Sequence, residues 1–74
     1  MSDKIADHIL KIVESANEPL ETLEIVDKVG KVSRAVVIYR LNNLRGDGKI
    51  KGKSIGAGKG NWVWWHSDAF KSKP

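Results

Sequence analysis

The stretch Ser33–Ile50, SRAVVIYRLNNLRGDGKI, decides how this chain is read. Ser33 offers a capping oxygen, and no helix breaker follows until the chain reaches Arg45 or Gly46, where GDGK stops the helix. On a helical wheel Val37, Leu41 and Leu44 form one stripe, which is predicted to be core. Ala35, Tyr39 and Asn42 lie opposite, with Ile38 and Asn43 at the flanks. Arg34 sits in the first turn, and Arg40 and Arg45 border the apolar stripe. There is no acid between Ser33 and Gly46. An ordinary amphipathic helix accounts for the periodicity but not for the missing acids, because a surface helix usually mixes signs. An acid-free face of this kind fits a DNA major groove, where Asn can pair with adenine, Arg with guanine, and apolar groups can meet a thymine methyl.

Upstream, Ile5, Ile9, Ile12 and Val13 recur at helical spacing between Asp3 and Ala16, with Ser2 or Asp3 as N-cap. NEPL breaks this helix, since Pro19 cannot continue it and pushes Glu18 toward extended geometry. Leu20 pins the extended piece to the core. Thr22 is the expected N-cap of a short second helix, in which Ile25, Val26 and Val29 share a side and Gly30 stops the run. Two helices joined by a glycine-containing turn of three or four residues form the helix-turn-helix pattern.

Downstream, Ile50 to Ile55 reads as a strand, GAGKGN as a turn, and Trp62 to Trp65 as the returning strand. Lys51 and Lys53 share one side of the first strand, and Lys59 sits at the tip among glycines. GAGKG is not a phosphate loop of the P-loop kind, because a strand rather than a helix follows it and no Ser or Thr follows its lysine. In the last strand Val63 and Trp65 point one way and Trp62 and Trp64 the other. The expectation is that Val63 and Trp65 close the core, leaving the other two tryptophans outside near the lysines.

Length and charge limit the rest. The chain has 74 residues and no cysteine, which allows one domain, over residues 1–70, with a short flexible basic tail at 71–74. A chain this small buries about 60% of its unfolded surface and has no length for a deep substrate cleft. Residues 1–30 hold three lysines against seven acids, a net −4, and residues 31–74 hold ten cations against two acids, a net +8. Solubility does not require such segregation, whereas steering toward a polyanion exploits it. His8 and His66 lack a cysteine or paired carboxylate at metal or acid/base spacing. The reading is therefore of a non-enzyme with no catalytic residue, metal, cofactor or small-molecule effector. The acid-containing N-terminus and the lack of a long apolar run point to a cytoplasmic, nucleoid-associated protein without a membrane partner.

EPLETLEIVDKVGKVSRAVVIYRLNNLRGDGKI, followed by GAGKGNWVWW, resembles the winged helix-turn-helix DNA-binding domains of small archaeal, viral and bacterial regulators. The likeness covers roughly residues 5–66 and is most specific at Ser33, Val37, Leu41, Leu44, Gly48 and Ile50. It implies an α+β fold of three helices plus a C-terminal β-hairpin wing. It also implies double-stranded DNA binding, from sequence-tolerant to sequence-specific, in transcription regulation. The third helix would enter the major groove through Ser33, Arg34, Ala35, Ile38, Tyr39, Asn42 and Asn43. The wing would lie on the backbone or in the minor groove through Lys51, Lys53, Lys59 and Asn61. The rival expectation is a protein–protein docking module that uses exposed tryptophans, since winged helices also serve as docking domains. A homodimer is expected, if one forms, to use the aromatic strand and the tail with Phe70.

Overall fold

The computed structural model describes residues 3–57 and 61–69. They form a small α+β domain of three helices and a three-stranded antiparallel sheet. Helix α1 spans Lys4–Ser15, strand β1 Leu20–Glu21, helix α2 Thr22–Val29, helix α3 Arg34–Gly46, strand β2 Ile50–Ser54 and strand β3 Trp62–His66. Ser2, Lys59, Phe70 and the tail at 71–74 lie outside the described residues.

Local chemistry sets each boundary. Asp3 caps α1, its Oδ1 accepting the N–H groups of Ile5 at 3.0 Å and Ala6 at 3.1 Å. The expectation that Thr22 caps α2 is corrected. Glu21 is the N-cap, and its N–H donates to Glu24 Oε1 at 2.9 Å in a capping-box arrangement. Thr22 is instead buried, 1% exposed, because its hydroxyl has a partner in the core. Ser33 caps α3 by accepting the Val36 N–H at 3.3 Å. Gly48, at φ +78°, takes the left-handed conformation after α3, and the Lys49 N–H reaches back to the Leu44 carbonyl at 3.0 Å.

The sheet has the order β1-β3-β2, so β3 is central and the hairpin's first strand is an edge. Its register pairs Leu20 with Trp64 across β1–β3, and Gly52 with Trp64 and Lys51 with Trp65 across β2–β3. One face meets the helices. There Ile9, Val13, Leu20, Ile25, Val37, Leu41, Leu44, Ile50 and Trp64 form the buried core, with Ile5, Ile12, Val26, Val29 and Trp62 packed against it. The predicted stripe of α3 is thus buried as a unit.

The predicted orientation of β3 is overturned. Trp64, 3% exposed, and not Trp65, closes the core, with Trp62 stacked on it at 5.4 Å between ring centroids. Three features hold this register. Leu20 stands beside Trp64 on the core side. The Trp64 Nε1–H donates to Thr22 Oγ1 at 2.9 Å. Gly52 opposite leaves room for the indole. The inverse register would have drawn Lys51, the partner of Trp65, toward the core.

A Cβ built on Gly52 would stand 2.6 Å from Trp64 Cε3, inside contact distance of a ring that is itself fixed. Gly52→Ala is therefore expected to destabilise the domain by about 1–3 kcal/mol through overpacking. Urea melts of the variant and wild type measure this, and an unchanged midpoint would show that the ring can yield.

Candidate nucleic-acid interface

Helix α3 carries three arginines, and the fold uses two of them internally. Arg40 Nε lies 3.0 Å from Asp3 Oδ2, an ion pair by distance in which the N–H is not aligned as a hydrogen bond. Such a partly exposed pair contributes about 0–1 kcal/mol and ties the start of α1 to the middle of α3. Arg40 also lies 5.3 Å from the Tyr39 ring centroid. Arg45 stands over the Trp62 ring at 5.2 Å, a cation–π contact joining the end of α3 to the loop end of the hairpin. Arg34 is exposed in the first turn.

The seven candidate residues of α3 do not form one uniform face. Ser33, Arg34, Ala35 and Tyr39 are exposed, Tyr39 at 60%. Ile38 and Asn42 flank them on the hairpin side, where they line a shallow cavity of about 300 Å³ with Thr22, Trp62 and Trp64. The Asn42 Nδ2 donates to the Ile38 carbonyl at 3.0 Å, which holds the amide in place and leaves its oxygen directed elsewhere. Asn43 falls on the α1 side, in a cleft shared with Asp3, Asp7, Arg40, Asp47 and Lys49. Those carboxylates make Asn43 the least suited of the seven to approach a phosphate.

The hairpin candidates also separate. Lys51 and Lys53 are exposed and stand opposite Trp65 and Val63. By strand alternation they leave the sheet on the side away from the helices. Asn61 is exposed, but its Nδ2 donates to the Ala57 carbonyl, and the Ile55 N–H donates to the Asn61 carbonyl at 2.8 Å. Asn61 thus braces the hairpin loop. Lys59 lies outside the described residues.

Sequence reasoning missed Trp62 and Arg45. They join the loop end of the hairpin to α3 beside Asn42. Parity would have shown it: once Gly52 faces Trp64, every even residue of the hairpin faces the helices. The register itself depends on a loop whose length does not dictate it.

Among the described residues, no helix is long and apolar enough to cross a membrane. No protein-family model matches the chain, and no curated protein shows significant sequence similarity to it.

Proposed function

We propose that this chain binds double-stranded DNA as a winged helix-turn-helix protein and acts in transcription regulation. The observation that carries the reading is the composition of α3's free surface. Arg34, Ala35, Tyr39 and Asn42 are exposed with no acid among them, while Arg40 contacts Asp3 and Arg45 the Trp62 ring. Three helices, a sheet of order β1-β3-β2 and a basic hairpin directly after α3 are compatible with a winged helix. In that arrangement α3 enters the major groove and the hairpin, as wing, reaches the backbone. The apolar Ala35 and Ile38 favour sequence-tolerant binding, with phosphate and shape readout exceeding base readout.

The docking-module reading loses most of its surface. Trp64 is buried and Trp62 is packed between Trp64 and Arg45, which leaves Trp65 as the tryptophan on the outer face.

Titrating salt against an arbitrary duplex tests the proposal. Affinity should fall steeply, as release of counterions from phosphates requires. Selection from a random pool then supplies a preferred site. On that site Arg34→Ala or Asn42→Ala should cost about 1–3 kcal/mol if the side chain reads a base edge, and much less on random DNA. Equal losses on both DNAs would assign these residues to phosphates. Salt-insensitive or absent duplex binding would sink the proposal.

A further inference from the structure

We propose that the outer face of the sheet is a second nucleic-acid surface, one that takes a single strand. Bases stack on Trp65, and the backbone runs along Lys51 and Lys53. The face is built by the register. Lys51 stands across from Trp65, and Lys53 stands across from Val63, whose other neighbour is Glu21 of β1. Both lysines are exposed, and Trp65 and Val63 are half-buried. None of these four side chains is needed by the core, which the opposite parity supplies.

Charge and shape select the occupant. A second copy laid on this face about a twofold axis near the two lysines would set Lys51 and Lys53 of one copy against those of the other, and an axis along β3 would relieve only Lys53, by setting it against the other copy's Glu21. Like charges so placed are destabilising, and among the described strand residues of this face the one acid is Glu21, at the far edge on β1. A polyanion meets no such conflict. A duplex offers a flat aromatic face little, because its bases are stacked inside. An unpaired strand presents bases that can stack on an indole while cations track its backbone. Lys51 and Lys53 are two residues apart on one side of a strand, about 7 Å at the usual rise, a spacing that neighbouring phosphates of an unstacked strand can match.

This surface shares Lys51 and Lys53 with the proposed duplex interface, so the two are told apart by residues that belong to one alone, Trp65 on the sheet and Arg34 on α3. The probe is a labelled oligothymidylate, long enough to fill a site of about 4–16 nucleotides and free of internal pairing. Its binding is followed by anisotropy and by quenching of tryptophan fluorescence, with a duplex probe measured in parallel. Trp65→Ala should weaken the single strand at least about tenfold, with Trp65→Phe recovering part of the loss, and leave the duplex unchanged. Arg34→Ala should do the reverse. Melting curves establish that each variant is folded.

Three outcomes would overturn the proposal. The wild type could fail to bind the oligothymidylate, or Trp65→Ala could bind it as the wild type does. Sedimentation could also show a dimer that Trp65→Ala dissociates, which would make the face a seam between copies.

Discussion

Trp64→Ala should leave the domain close to unfolded at room temperature, while Trp65→Ala, one residue later, should cost no more than about 1 kcal/mol. Removing a buried aromatic side chain typically costs about 3–5 kcal/mol from lost transfer energy and the cavity left behind. A domain of this size has only about 4–11 kcal/mol of stability to lose, at the usual value per residue. Trp64 is also tied to more neighbours than its area conveys. It stacks on Trp62, fills the space above Gly52 and donates to Thr22 Oγ1. Trp64→Phe separates these contributions. It keeps most of the ring but removes the indole N–H, leaving Thr22 Oγ1 with only its long contact to the Trp62 carbonyl at 3.5 Å. A loss of about 1–3 kcal/mol is expected for an unmade buried hydrogen bond. Urea or thermal melts followed by far-ultraviolet dichroism measure all three variants. If Trp65→Ala proved the more damaging of the two alanine variants, the faces of β3 would be assigned the wrong way round.

That pair of variants marks where the sequence stops being legible. Helical periodicity marks Ile5, Ile9, Ile12, Val13, Val37, Leu41 and Leu44; Ile9, Val13, Val37, Leu41 and Leu44 are buried, and Ile5 and Ile12 pack half-buried against them. Helix periodicity is local, so a stripe spaced at three and four residues has only one way to face inward. Ser33 and Gly30 were readable as punctuation for the same reason. Strand parity is different. WVWW is apolar on both faces, so it carries no internal mark of which side is buried, and a shift of one residue in register exchanges the two. The deciding information lies far away in the chain, in Leu20 and Thr22 of the second segment and in Gly52 across the hairpin. Thr22 suits a cap by its type, while its actual partner is 42 residues away. Of the candidate site, the exposed composition of α3 was legible from the wheel. The diversion of Arg40 to Asp3 and of Arg45 to Trp62 was not, because both are tertiary contacts.

The basic hairpin carries the largest expected effect on binding. If Lys51, Lys53 and Lys59 each neutralise one duplex phosphate, replacing all three with Ala should reduce the log–log salt slope by about 2.7, at about 0.9 per contact. Between 1 M and 0.1 M salt each contact gains about eightfold in affinity, so the triple variant should bind duplex about 500-fold more weakly at the lower salt. The loss should be the same on every sequence, because phosphates carry no base information. The geometry permits this even though Lys51 and Lys53 leave the sheet on its outer side. They belong to β2, which is an edge strand, and a lysine's four-carbon stem can carry its ammonium around the edge toward DNA seated on α3. The same position suits a plainer role, since lysines on an edge strand discourage pairing with another chain's edge. The two roles predict different results. Lysines that serve only to protect the edge would leave duplex affinity and its salt slope untouched while the triple variant gained a tendency to associate. Lysines that hold phosphates would lower both, with the variant still monomeric and its melting temperature close to that of the wild type. An unchanged slope would remove the hairpin from the duplex interface and leave α3 as the element in contact with DNA.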